Sequence, residues 1–331
     1  MAQAKDFTFV VGIADAGMRL DTYLSQRVFE LTRSQIKKLV QEDLILLNHL
    51  PSKPATRLRK GDEITGSIPP PKKLDVIPQD IPLDILFEDP WIIVINKPAG
   101  MVVHPGAGVD SGTLVNALLY HCTDLSQING VIRPGIVHRL DKNTSGAMVA
   151  AKNAVAHHHL SAQFKARHIG KRYIALVHGE MGASKGSIES PLGRHPKERK
   201  RISIHTRKPR SAITRWRVTA RFRGFSLLEV MPKTGRTHQI RAHLSSRGHP
   251  IVGDPQYRRA RWIEGIRDPQ TKEKIRTLKR QALHSERLGF IHPRSGDFME
   301  FYAPLPDDLA GIIQFLSSRN EGQHSGGKEG K

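Results

Sequence analysis

In the first 68 positions, apolar residues recur at helical spacing in two stretches and form one short strand-like run. Two helices are predicted here, with apolar faces formed by Leu20, Tyr23, Leu24 and Val28 in the first and by Leu31, Ile36, Leu39 and Val40 in the second. The basic residues Arg33, Lys37 and Lys38 then fall on or near the solvent side of the second helix. A short apolar run at 44–47 predicts a strand. We therefore expect residues 1–68 to form a small α/β unit.

Prolines are frequent in the stretch that follows, IPPPKKLDVIPQDIPLD. Proline lacks an amide hydrogen and fixes φ, so this stretch does not form one regular element. We predict a linker at 69–80 and a second domain at 81–316. The remaining residues, 317–331, are polar and rich in glycine, and we expect them to be disordered.

The second domain contains short apolar runs rich in β-branched residues and bounded by glycine or proline. Strands are predicted at 91–96, 147–151, 173–177 and 226–231, and helices at 112–120, 155–167 and 237–246. Long helices do not regularly separate these strands. The pattern therefore predicts an α+β fold on a mixed, mainly antiparallel sheet with flanking helices, rather than a doubly wound parallel sheet.

Composition narrows the function classes. Lysine and arginine total 52 against 31 acidic residues, giving a net charge of +21, which favours a polyanionic partner over a basic protein that is merely soluble. Cys122 is the single cysteine, which excludes an internal disulfide and a multi-cysteine metal site. The sequence shows no secretory signal and no run of about 18 apolar residues. We expect a cytoplasmic protein with no membrane partner. Nothing in the sequence requires an oligomer or an obligate protein partner.

The positive charge is concentrated in segments. Residues 194–223 hold twelve basic residues and one acid, and residues 258–280 hold nine basic and three acidic residues. Such one-sided charge indicates phosphate contacts, because each neutralised phosphate releases counterions; an ordinary exposed loop is the alternative. We interpret the second segment as a surface insertion. Together with the helical unit at the start, these segments predict an extended nucleic-acid footprint.

A dense polar segment, HRLDKNTSG at 138–146, directly precedes an apolar strand, which is where functional groups often lie. Asp141 is its candidate catalytic group, and the alternative is that it merely pairs with a nearby cation. The chain has no GxxxxGK[ST] loop and no HExxH pair. We therefore expect neither a cofactor nor a metal site.

Two further segments carry candidate side chains. In KTGRTHQIRAHL at 233–244, Arg241 lies on a helix where it could present its guanidinium to a carboxylate from another loop. The alternative is a helix start that binds phosphate. Tyr173 begins an apolar strand after a basic turn. It is either a half-buried core residue or a platform on which an unstacked base lies.

HRLDKNTSG, KRYIALVHG and KTGRTHQIRAHL, in that order and after INKPAGMVVHPGAG, resemble the signature segments of the RluA-type pseudouridine synthases over about residues 85–304. The N-terminal RLDTYLSQRVFELTRSQIKKLVQEDLILLN resembles an S-four-type RNA-binding module. Glu42–Asp43 and His49 stand where that module commonly has glycine-containing turns. The length, the module and the basic insertion most resemble the RluD-type enzymes of large-subunit ribosomal RNA.

The resemblance assigns a role to four residues. It implies that Asp141 is the catalytic carboxylate, that Tyr173 stacks on the target uracil, that Arg241 pairs with Asp141, and that Arg139 fills the gap left by the flipped nucleotide. It makes residues 1–68 an RNA-binding module, in which Arg33, Lys37 and Lys38 are the candidate RNA contacts.

The chemistry of pseudouridine formation agrees with this assignment. The N1–C1′ bond breaks, the uracil turns, and C5 bonds to the same sugar carbon, so no redox or phosphate energy is needed. The sequence leaves open whether Asp141 attacks C1′ or removes a proton from C2′. It also leaves two other functions open: the same reaction on transfer RNA, and a non-catalytic RNA-binding factor in ribosome assembly.

Overall fold

The computed structural model describes residues 4–28, 31, 33–69, 76–106, 108–122, 125, 134–198, 201–257 and 260–321. The chain divides into two compact units, Met1–Leu74 and Asp75–Lys331. No helix in the described ranges is both long and apolar enough to cross a membrane.

The first unit is a three-stranded antiparallel sheet covered by two helices. Its strands are β1 (Lys5–Val10), β2 (Ile45–Leu47) and β3 (Glu63–Ile68), in the order β1-β3-β2, and its helices are α1 (Leu20–Ser25) and α2 (Arg33–Gln41). The apolar faces predicted for both helices pack into one core. The small α/β unit is thus confirmed.

Two turns of this unit keep a left-handed backbone without glycine. Asp43, Asn48 and His49 have φ values of 56°, 52° and 63°. The Asn48 side chain donates to Asp62 Oδ1 at 2.9 Å and accepts from the Glu63 amide at 2.8 Å, which compensates for the unfavourable conformation. The sequence departs from the glycine pattern here, but the positive φ values remain.

A buried carboxylate ties α1 to α2. The Asp21 side chain is fully buried and accepts hydrogen bonds from Arg19 Nη2 at 3.0 Å and from Arg33 Nη2 at 2.9 Å. Lys37 Nζ lies 3.6 Å from Asp21 Oδ2. The hydrogen bond from Arg19, followed by that from Arg33, overcomes the effect of burial and lowers the pKa of Asp21 well below its usual value.

We predict that Asp21→Asn destabilises the first unit by about 1–3 kcal/mol, because it removes charge-assisted hydrogen bonds. Folding lowers the pKa of Asp21, so its contribution is complete above the pKa of an unfolded aspartate, about 3.9, and decreases as the pH falls below it. Hydrogen exchange of the full chain, followed in peptides from residues 18–41, measures the loss.

The exposed carboxylate of Asp6 on β1 provides the matched control. Asp6→Asn should exchange like the wild type. Equal protection of the α1 and α2 amides in wild type and Asp21→Asn at pH 7 would show that Asp21 does not hold these helices together.

The second unit is built on a nine-stranded sheet. Its strands are β4 (Ile85–Glu88), β5 (Ile92–Lys97), β6 (Ser145–Ala151), β7 (Gly170–His178), β8 (Lys185–Glu189), β11 (Ile213–Phe222), β12 (Phe225–Pro232), β13 (Leu283–Ile291) and β14 (Phe298–Tyr302). A separate two-stranded ribbon consists of β9 (Gly193–Arg194) and β10 (Ile202–Ser203).

The sheet is mixed and mainly antiparallel, as predicted. Its order is β4-β5-β6-β13-β7-β12-β11-β8, with β14 paired to β13. Strands β6 and β13 run parallel, and the other pairings along this path are antiparallel. The helices that accompany it are α3 (Leu114–His121), α4 (Ala154–Ala166), α5 (Gln239–Ser246), α6 (Ala260–Glu264), α7 (Pro269–Thr277) and α8 (Asp307–Glu321). The predicted strands and helices are all present, with ends displaced by at most three residues.

Three expectations need correction. The predicted linker at 69–80 is not a free connection in its second half, because Ile77 and Gln79 hydrogen-bond through their backbones to Asn116 on α3; residues 70–75 lie outside the described ranges. The predicted tail at 317–331 begins as helix, since α8 continues to Glu321, with the Ser317 and Ser318 hydroxyls bonded to carbonyls one turn earlier; residues 322–331 are not described.

The third correction concerns the basic segment at 258–280, which is more than a surface insertion. It contains α6 and α7, and Ile275 and Leu278 are buried in the main core. The apolar spacing of these two residues lies within a strongly charged sequence, which conceals it. Arg258 and Arg259 lie outside the described residues, as do Arg199 and Lys200 in the other basic segment.

Candidate active site

Four neighbouring strands bring distant segments to one level of the sheet. Gly146 on β6 is paired with Ser285 on β13, Ser285 with Tyr173 on β7, and Tyr173 with Val230 on β12. A Cβ at Gly146 would lie 2.2 Å from the Ser285 carbonyl oxygen, so only glycine permits this approach. The segment before β6, the start of β7 and the segment after β12 therefore meet at one place.

Asp141 lies in the segment before β6, and its side chain is 17% exposed. The turn around it is fixed by the backbone: Thr144 N donates to Asp141 O at 3.0 Å, and Gly100 N donates to Lys142 O at 2.9 Å. These bonds hold the carboxylate on a rigid turn.

Lys97, at the end of β5, secures the same turn. Its side chain is fully buried, and Nζ donates to the carbonyl oxygens of Pro98 at 2.7 Å, Met101 at 3.0 Å and Lys142 at 3.3 Å. Burial lowers the pKa of Lys97 to about 7, and the negative charge of Asp141 opposes that shift. A buried lysine thus connects two loops directly beside the candidate carboxylate.

Arg241, on α5, contacts Asp141 directly. Its Nη1 donates to Asp141 Oδ2 at 3.0 Å, and its side chain is only 5% exposed. The contact between Asp141 and Arg241 that the resemblance implied is therefore present. The opposite edge of the guanidinium donates to Asp254, with Nε to Oδ2 at 2.7 Å and Nη2 to Oδ1 at 3.0 Å. Nη2 also donates to Gln256 Oε1 at 3.1 Å.

His238 is the residue before α5 and has a left-handed backbone, with φ 50°. This conformation places Nε2 4.0 Å from Asp141 Oδ1, while Nδ1 lies 3.2 Å from Tyr257 Oη. Burial lowers the pKa of His238, although the charge of Asp141 pulls it upward. The strained backbone thus aims an imidazole at the carboxylate.

Tyr173 is 9% exposed, so it is more deeply buried than the half-buried core residue that the sequence offered as an alternative. Burial raises the pKa of Tyr173 to about 12, and its hydrogen bond with Ser285 opposes that shift. The phenol therefore stays protonated at neutral pH.

The four residues that the resemblance assigned line one pocket of about 680 Å³: Arg139, Asp141, Tyr173 and Arg241. This volume suits a small ligand or a single nucleotide. Basic side chains surround it, among them Lys171, Lys233 and Arg236. Asp141 is the one acidic residue among the described residues of the pocket lining. The candidate RNA contacts Arg33, Lys37 and Lys38 belong to α2 of the first unit.

A possible metal-binding group lies elsewhere. In the described part of the chain, the ligand atoms of Glu88, His121 and Cys122 lie within 4.8 Å of one another. Glu88 already accepts hydrogen bonds from Lys152 Nζ at 2.6 Å and pairs with His121 Nε2 at 2.8 Å. None of these residues lines the pocket around Asp141.

Sequence reasoning missed Lys97, His238, Asp254 and Tyr257 as parts of the site. A lysine that ends an apolar strand, as in WIIVINK, was an available signal for Lys97. The sequence signal for Asp254 was weaker, because an Asp-Pro pair indicates a turn but does not indicate which residue the aspartate contacts. The role of His238 depends on a backbone angle that no spacing indicates.

Comparison with known proteins agrees with this geometry. A family model described as RNA pseudouridylate synthase matches residues 91–246, and an S4 domain model matches residues 18–64. The chain is 42% identical over 298 residues to the uncharacterized RNA pseudouridine synthase YlyB of Bacillus subtilis, covering 90% of this chain and 94% of that protein. It is 43% identical over 310 residues to ribosomal large subunit pseudouridine synthase D of Zymomonas mobilis, covering 92% and 96%.

A solved structure that resembles this chain also has the name of an RNA pseudouridylate synthase. Human RNA pseudouridylate synthase domain containing 1 superposes with a TM-score of 0.53 at 26% identity, covering 72% of this chain and 96% of that one. Together with the pocket that unites the three signature segments, these matches show that the chain belongs to the RNA pseudouridine synthase family and carries an S4 domain ahead of its catalytic unit.

Proposed function

We propose that this RNA pseudouridine synthase isomerises uridines in large-subunit ribosomal RNA and that Asp141 is its catalytic carboxylate. The observation that carries the proposal is the pocket in which Asp141, held by Arg241 at 3.0 Å, lies with Tyr173 among basic side chains. The substrate class is supported by the relatives named ribosomal large subunit pseudouridine synthase D, including the one from Zymomonas mobilis at 43% identity.

One carboxylate suits an isomerisation better than a hydrolysis. A hydrolytic glycosidase generally uses two carboxylates, one of which acts on water. Among the described residues of the pocket lining, Asp141 is the one acid. In pseudouridine formation the detached uracil itself returns to the sugar through C5, so no second carboxylate is needed to activate water. Asp141 either attacks C1′ or removes the C2′ proton; its position next to Arg241 is compatible with both.

The neighbouring residues complete this proposal. A uridine must leave the base stack to reach Asp141, and unstacking is compensated when the base lies on an aromatic ring. Tyr173 lines the pocket and provides that ring, while Arg139 is exposed at its edge and can occupy the space that the base vacates. Arg241 orients the carboxylate through its Nη1. This chemistry requires no cofactor.

The S4 domain supplies RNA affinity in this proposal. Lys38 is 72% exposed, and Arg33 and Lys37 are about half exposed while they share Asp21. Exposed ammonium and guanidinium groups on one helix can contact successive phosphates.

In this proposal the enzyme acts as a monomer in the cytoplasm, where ribosomal RNA is available, without an obligate protein partner.

The proposal is tested with RNA that carries tritium at C5 of uridine, because joining C5 to the sugar expels that hydrogen. We expect release from large-subunit ribosomal RNA and none from transfer RNA or small-subunit ribosomal RNA. Release from transfer RNA alone would show that the substrate is transfer RNA and not ribosomal RNA. Tight binding to ribosomal RNA with no release from any RNA would favour a non-catalytic assembly factor.

A second prediction concerns α2. Replacing Arg33, Lys37 and Lys38 by alanine should weaken RNA binding and reduce the slope of log K against log salt by about 2–3, because each lost phosphate contact contributes about 0.7–0.9. Filter binding at several salt concentrations measures the slope. The matched control exchanges Arg33 for lysine and both lysines for arginine, which retains the charge and should retain the slope. An unchanged slope in the alanine variant would remove α2 from the RNA footprint.

A further inference from the structure

The carboxylate of Asp254 is fully buried and lies directly against Arg241. Arg241 Nε donates to Oδ2 at 2.7 Å and Nη2 donates to Oδ1 at 3.0 Å, which is a parallel two-bond contact with defined orientation. This contact occupies one edge of the guanidinium. The remaining Nη1 points to Asp141 Oδ2 at 3.0 Å.

Asp254 is itself immobilised by the backbone. Its Oδ1 accepts from the amides of Gln256 at 2.9 Å and Tyr257 at 3.1 Å. The preceding Gly253 has φ +74°, and a Cβ there would lie 2.1 Å from the Arg280 carbonyl oxygen. Val252 N donates to Leu176 O on β7 at 2.9 Å. The carboxylate is therefore fixed to the sheet before any substrate binds.

The charges explain why this arrangement matters. Burial opposes the charge on Arg241, yet the hydrogen bonds and charge of Asp254, followed by the charge of Asp141, raise its pKa above the usual value for arginine. One cation thus lies between two carboxylates. Because Asp254 takes the Nε–Nη2 edge, Asp141 receives a single hydrogen bond from Nη1 and is not held by a two-bond fork.

We propose that Asp254 is a positioning residue: it fixes the rotation of the Arg241 guanidinium, and this rotation sets the position of the Asp141 carboxylate for the chemical step. The proposal rests on the roles of Asp141 and Arg241 proposed above. Without Asp254, Arg241 can turn its fork onto Asp141, which displaces that carboxylate and neutralises more of its charge.

Asp254→Asn is the direct test, because the amide keeps the side-chain shape and one acceptor oxygen for the backbone amides. At saturating ribosomal RNA, we expect the single-turnover rate of tritium release to fall by about 10²-fold, as displacements of about 1 Å do in other enzymes, with RNA affinity unchanged. Asp308→Asn is the control, since Asp308 also makes a two-bond contact with an arginine, Arg280, at 2.6 Å and 2.6 Å, but its side chain is 45% exposed and lies outside the pocket lining. It should retain the wild-type rate.

A second readout does not depend on activity. In ¹⁵N–¹H spectra of arginine side chains, the Nε–H of Arg241, identified by its loss in Arg241→Lys, should exchange slowly with solvent in wild type and Asp141→Asn. It should exchange at least about tenfold faster in Asp254→Asn, because its acceptor at 2.7 Å is gone. If Asp254→Asn does not fold, Asp254→Glu keeps the charge but shifts the carboxylate by one methylene, and its rate should fall with unchanged RNA affinity.

The outcomes separate the two proposals. Wild-type turnover in the folded Asp254 variants, or unchanged exchange of the Arg241 Nε–H in Asp254→Asn, would overturn the positioning role. If the wild-type enzyme released no tritium but the exchange of Arg241 still depended on Asp254, the proposed function would fail and the structural role of Asp254 would stand. Reduced RNA affinity at an unchanged single-turnover rate would assign Asp254 to binding and contradict the proposal.

Discussion

The catalytic unit depends on one buried cation, the guanidinium of Arg241, which contacts one carboxylate 100 residues earlier in the chain and another 13 residues later. Its Nη1 contacts Asp141 and its other edge contacts Asp254. A buried guanidinium is unfavourable unless it is paired and hydrogen-bonded, so the fold must deliver both carboxylates to it. The strand order β6-β13-β7-β12 does this by aligning Gly146, Ser285, Tyr173 and Val230 across the sheet.

The same arrangement reconciles two opposing needs of an RNA enzyme. RNA binding favours positive charge, and the chain carries a net charge of +21. The reaction that we propose needs one carboxylate in the middle of that positive surface. Lys97 fixes the backbone of the loop around Asp141 by donating to three carbonyl oxygens, and Arg241 orients the Asp141 side chain. The carboxylate is therefore held in place without a second acid in the described pocket lining.

Much of the fold was predictable because its elements are local. The apolar spacing at 20–40 and the short runs at 91–96 and 226–231 define helices and strands that the structure contains. The contact between Asp141 and Arg241 was also predictable, because the segments around both residues resemble family motifs in which the arginine pairs with the aspartate. By contrast, Asp254 and Lys97 act through partners that only the tertiary fold supplies, and His238 acts through a left-handed backbone. The extension of α8 to Glu321 was missed because the end of this helix is polar. Its contacts, such as that of Arg319 with Asp268, are made with residues distant in the chain.

We propose that Asp141 performs the chemistry rather than merely holding its loop in place. The most direct measurement is the single-turnover rate of tritium release from large-subunit ribosomal RNA by Asp141→Asn, with RNA affinity measured on the same preparation. We expect no detectable release, with RNA affinity unchanged or tighter because a negative charge near phosphate is removed. Release at the wild-type rate by this variant would contradict it, because the carboxylate would then be dispensable for the isomerisation.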